Sequence, residues 1–101
     1  MSYDIIRQAV LDKCSLTAIY QGLIRHFSPH AIGRSNDGNA NVMGYQYAGQ
    51  TSTQLPPDGE WRCFEVRQLS NILRNGDGWH TREDHSKPNT CVTQIDVQVS
   101  R

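Results

Sequence analysis

No stretch of this 101-residue chain is apolar over the length that crossing a bilayer requires. The opening MSYDIIRQAVLDK mixes charge throughout and lacks a leader-like apolar run, so no membrane partner is expected. An excess of one charge is missing too: Lys plus Arg number 10, and so do Asp plus Glu. A neutral chain lacks the broad basic surface that nucleic-acid binding usually displays, which leaves a local basic face as the only electrostatic route. It also lacks self-repulsion, so a protein partner or a homo-oligomer fits. Cysteine is scarce. Cys14, Cys63 and Cys91 form an odd set and a poor disulfide framework, which predicts reduced thiols in a cytoplasmic protein. There is no internal repeat and no low-complexity tract.

What is present describes one domain over residues 1–101. Hydrophobic residues make up only 37%, but aromatic and β-branched side chains run the whole length, which argues against global disorder. Residues 3–13 have the spacing of an amphipathic helix: Ser2 as cap, Ile5, Ile6, Ala9 and Val10 on one face, Arg7, Gln8, Asp12 and Lys13 on the other. From Leu16 the period drops to two. A strand from Leu16 to Tyr20 and another from Leu23 flank Gln21-Gly22, a tight-turn pair. Pro29 ends regular pairing or marks an edge, with the strand resuming at His30.

After the SNDGN turn, ANVMGYQYAG reads as a strand with a bend or bulge at Gly44. Residues 50–60 form a long polar loop. WRCFEVRQLSNIL is a further strand running into a turn near Ser70-Asn71. The final strand, CVTQIDVQVS, places Cys91, Thr93, Ile95, Val97 and Val99 on a buried face and Val92, Gln94, Asp96 and Gln98 on a wet one. One helix followed by about five short strands with Gly-rich turns predicts a mainly β (α+β) domain, with the helix packed on a small, strongly bent barrel over about residues 16–99.

Three signals occur in a telling order: Arg25-His26-Phe27-Ser28-Pro29-His30, then Val42-Met43-Gly44-Tyr45, then Arg62-Cys63-Phe64-Glu65-Val66 followed by Leu69. In this order they resemble a WYL-type domain, the SH3-like or Sm-like five-stranded barrel of many bacterial regulators. The whole chain is similar to small stand-alone bacterial proteins that add a tail like Trp79 to Cys91. Ala40-Asn41-Val42 stands where the family has its naming Trp-Tyr-Leu, and Glu65 where many members have a second arginine. The resemblance implies a ligand-sensing or binding module for a nucleotide, single-stranded nucleic acid or another anion. A winged-helix DNA reader does not fit beside the barrel in this length.

The residues that would serve such a function are Arg25, His30, Arg34, Tyr45, Gln46, Trp61 and Arg62. Arginine forks grip phosphate, aromatic faces such as those of Tyr45, Tyr47 and Trp61 stack on bases, and Gln46 suits a base edge. The competing reading makes Tyr45 and Trp61 packing residues and pairs the arginines with Glu60 and Glu65. A second alternative is a protein-interaction or self-association module using outward apolar residues such as Val92 and Tyr47.

GDGWHTREDHSKPNTC, residues 76–91, raises a metal question. His80, His85 and Cys91, with Asp84, are zinc-ligand types. Their spacings match no closed zinc motif, and Cys91 falls on the buried alternating face as a small apolar group. The stretch is therefore read as a loop that closes the barrel, with Trp79 over its end, and as a wall for any site. No metal or other cofactor is expected. Catalysis is not expected either, because nothing in the sequence sets a histidine beside Cys63 and no loop has the Lys and helix context of a P-loop.

Overall fold

The computed structural model describes residues 2–51, 55, 57, 59–82 and 91–99. The elements are α1 (Ser2–Asp12), β1 (Leu16–Tyr20), β2 (Leu23–Arg34), β3 (Ala40–Gly49), β4 (Glu60–Glu65), a 3-10 turn (Val66–Gln68), β5 (Leu69–Arg74) and β6 (Gln94–Gln98). The protein is mainly β, with one helix against an antiparallel sheet.

The helix buries Ile6, Ala9 and Val10, three of the four residues on the predicted face, while Ile5 is 40% exposed. It ends where Lys13 turns left-handed at φ 53° and the Cys14 N–H bonds back to the Ala9 carbonyl at 3.0 Å, a common way of satisfying the last carbonyls of a helix. Its solvent side is tied to β6: the Tyr3 hydroxyl donates to Asp96 at 2.7 Å and Arg7 Nε at 3.1 Å. The Tyr3 hydrogen bond, helped by Arg7, holds the Asp96 carboxyl below the usual carboxylate range.

The sheet runs β4-β3-β2-β1-β5, with β6 added to β2. Gln21 and Gly22 both have positive φ, 54° and 76°, as a two-residue hairpin turn of type I′ requires. β2 is the spine. Its first half pairs with β1, its last four residues pair with β6, and β3 follows it on the other side. Two register shifts in the β2–β3 ladder, at His26/Phe27 and Pro29/Ala31, bend it. The second shift reverses the alternation, so Phe27 and Ile32, five residues apart, are both 0% exposed. Pro29 has no N–H to give and sits at this interruption. It therefore does not end the strand, as the sequence suggested; β2 passes through it. Opposite lies Gly44, where a β-carbon would come within 2.7 Å of the Phe27 ring. Glycine is what lets β3 lie against that ring.

Two further expectations need revision. The strand read over 61–73 is broken by the 3-10 turn, which keeps both Val66 and Leu69 buried. That turn joins the two ends of the strand path, so the sheet curls until its edges share one corner, and it carries six strands instead of five. In the last strand, a register shift at Ile32/Gly33 turns Ile95 outward to 45% exposure, and Val92 is 1% exposed in the core. Val92 is thus no part of an outward association surface. Val97 and Val99 pack against the core as predicted. Among the described residues no helix is long and apolar enough to cross a membrane.

Candidate functional site

The curled sheet sorts the predicted residues onto two faces. On the inner face, Phe27, Gln46 and Glu60 lie in one row across β2, β3 and β4. Arg25 stands two residues before Phe27 and Arg62 two after Glu60. Arg62 folds back along its strand, its Nη2 2.7 Å from Glu60. Arg25 is 2% exposed. Its Nη1 donates to Gln46 Oε1 at 3.3 Å and its Nη2 to the Tyr20 carbonyl at 3.5 Å, and its guanidinium lies 5.5 Å and 5.8 Å from the Tyr20 and Phe64 ring centres. Among the described residues no carboxylate pairs with it. The Nε of Arg25 and the Nε of Arg62 are both buried without a hydrogen-bond acceptor. Burial, then the nearby Arg62 charge, pushes the affinity of Arg25 for its proton down. Among the described residues this corner of the curled sheet therefore holds two guanidiniums and one carboxylate. Gln46 is fully buried and its amide is spent on Arg25, Ala48 and Gln50, so it does not face a base edge.

The outer face carries the rings. His30 is 1% exposed between Trp61, 4.7 Å edge-on, and Trp79, 4.5 Å away and tilted. Its Nδ1 meets the Ser28 carbonyl at 2.7 Å and its Nε2 the Thr81 hydroxyl at 2.9 Å. Tyr45 packs 5.3 Å from Trp61. Tyr47 stacks on His80 at 3.8 Å with 15° between planes. Trp79 thus covers the bulge of β2 from outside instead of capping the barrel end. The segment that carries it is pinned by polar contacts: Asn75 Nδ2 donates to Thr17 and Tyr47, the Tyr47 hydroxyl to Asp77 at 2.7 Å, and the His80 N–H to Ser28, while Ser15 binds the Gly78 carbonyl. Together these residues wall an open cleft of about 520 Å³ lined by Tyr45, Tyr47, Pro57, Trp79, His80 and Thr81. The stacking residues and the paired arginines therefore do not share a face. Arg34 is apart from both: it is exposed at the end of β2 and donates to the Gly38 carbonyl at 2.8 Å across the turn.

Cys63 and Cys91 form a disulfide across a separation of 28 residues. This corrects two expectations. Cys91 is not a thiol packed in the core and offers no thiolate to a metal, and the reduced-thiol premise behind a cytoplasmic setting does not hold for this pair; Cys14 alone is free. Among the described residues no three His, Cys, Asp or Glu side chains converge. His80 is engaged with Tyr47, and Asp84 and His85 lie outside the described residues. Odd cysteine number hid the bond, because sequence gives no distance between strands.

No family model, no curated protein and no solved structure matches this chain.

The Tyr47 hydroxyl is pushed up to about 12, by burial first and then by its bond to Asp77. A tyrosine whose folded value lies above its ordinary 10.0 stabilises the fold fully below pH 10, and the contribution is lost as pH climbs through about 12. Urea midpoints should therefore fall over that window, and Tyr47→Phe should fall less. Some slope must persist in the variant, since burial and Asp96 also push Tyr3 up to about 12. Equal slopes in the two proteins would show that the fold does not hold the Tyr47 hydroxyl above its ordinary value.

Proposed function

We propose that this protein is a non-enzymatic binding module that captures an oxyanion, such as the phosphate of a nucleotide or of single-stranded nucleic acid, with Arg25 and Arg62. One observation carries the reading: Arg25 is 2% exposed and no carboxylate among the described residues answers its charge. An arginine taken out of water without a counter-charge is costly. Here a second guanidinium is added beside it, which raises the cost further. A phosphate or carboxylate between the two, taking the unused Nε donors, would repay both terms through charge-assisted hydrogen bonds. The resemblance to WYL-type domains supports the same ligand class, and Arg25 and Arg62 belong to the motifs that carry it.

The test is thermal unfolding with inorganic phosphate, AMP and a short oligothymidylate at low and high salt. A ligand that binds the native state raises the midpoint as its concentration exceeds its Kd. The rise should appear with all three, shrink at high salt and vanish in Arg62→Met. A flat panel, or a rise that Arg62→Met leaves intact, would overturn the assignment.

A further inference from the structure

The cleft on the outer face is a different place from the arginine corner and has different chemistry. Its volume of about 520 Å³ falls within the range of roughly 300–1,000 Å³ typical of small-molecule sites. Tyr45, Tyr47, Trp79 and His80 bring rings to it, and among the described residues no charged side chain lines it. The rings are held in place. Tyr47 is fixed through its hydroxyl by Asp77 and Asn75 and through its face by His80, and the His80 ring nitrogen Nε2 in turn meets the Asp77 carbonyl at 3.3 Å. Trp79 is backed by buried His30, whose two nitrogens are both engaged. Such a cluster offers preformed stacking surfaces, with little side-chain freedom left to lose on binding.

The geometry points to a second site: the Tyr45–Tyr47–Trp79–His80 cleft takes a flat, uncharged heteroaromatic ring. The lining decides the class. A carboxylate or phosphate would find no cation among the described lining residues, and an aliphatic chain would leave the ring faces and the Thr81 hydroxyl poorly used. A ring with polar edges matches both the faces and the hydroxyl and imidazole tips. The inference does not depend on the arginine corner, and an uncharged probe separates the two.

That probe is adenosine, which has a heteroaromatic ring and no phosphate. Trp61 and Trp79 are the only tryptophans in the chain, so intrinsic fluorescence reports on this face. Adenosine should change the fluorescence saturably, while ribose alone should not. The apparent Kd should rise at least tenfold in Tyr47→Ala and in Pro57→Phe, and stay unchanged in Arg62→Met. Pro57 is exposed at the rim, so placing a bulky ring there obstructs the cleft without touching the core and keeps the test valid should Tyr47→Ala fail to fold. Quenching that never saturates, or saturates equally in wild type and Pro57→Phe, would sink the second site and leave the phosphate reading untouched. Loss of phosphate binding in Arg62→Met with adenosine binding intact would confirm that the sites are separate.

Discussion

Reducing the Cys63–Cys91 bond should lower the unfolding free energy by about 3.5 kcal/mol, the loop-closure value for a 28-residue separation. Domains of this size have only about 5–15 kcal/mol in total, so the change should cost roughly 15–25 °C in Tm. Dithiothreitol supplies the two electrons in the simplest experiment, and the Cys63→Ala/Cys91→Ala double variant repeats it without reductant. The effect should also be local. The bond fastens the start of the final strand to the outer side of β4, and the Asn41 amide holds the Cys91 carbonyl at 2.9 Å. Within the loop it closes sits the Asn75–Thr81 segment that walls the cleft, so adenosine affinity should weaken on reduction more than phosphate affinity. An unchanged midpoint under dithiothreitol would show that the bond contributes nothing to the native state.

Arg25→Met should produce the opposite pattern: stability close to wild type, and binding weakened. Replacing an unpaired buried charge by an apolar group of similar volume removes its uncompensated desolvation cost and is stabilising in that respect. Against this, Gln46 Oε1 loses its donor, at a cost of about 1–3 kcal/mol. The two nearly cancel. Phosphate affinity, in contrast, loses the charge-assisted bond from the Arg25 Nε, worth about 1.5–3 kcal/mol, which corresponds to a drop of roughly ten- to a hundredfold. Arg25→Lys should recover part of the affinity through charge alone, without the fork. Urea unfolding and phosphate titration of the same samples decide the matter. A loss of about 3–5 kcal/mol would make Arg25 a structural residue and remove the basis of the proposed function.

Much of the fold was legible because it rests on local signals. The helix, the Gln21-Gly22 turn and the third strand follow from periodicity and turn chemistry, and β3 runs over the residues read from the sequence, Ala40–Gly49. The misreadings share a cause. Pro29, the break at Val66 and the outward turn of Ile95 all depend on bulges or turns, where one extra residue reverses which side chains face inward. Val92 moved from surface to core for that reason. The candidate site was legible as a set of residues and not as an arrangement: Arg25, Gln46 and Arg62 do gather, Tyr45, Trp61 and His30 gather elsewhere, and Arg34 joins neither. Parity along β4 separates Trp61 from Arg62, but only the β3–β4 register tells which companions each one meets. The disulfide and the packing of Trp79 against His30 are long-range facts with no local trace.

The division of β2 between two partners gives the molecule a history in time. Its first half meets β1 through a two-residue turn and can pair as soon as both are made, since hairpin contacts close quickly. Its last residues, Ala31 to Arg34, wait for β6, which begins at Gln94. During synthesis, one half of the spine is complete while the other half still presents a bare strand edge beside Ile32. A chain halted before Thr93 would carry that edge exposed.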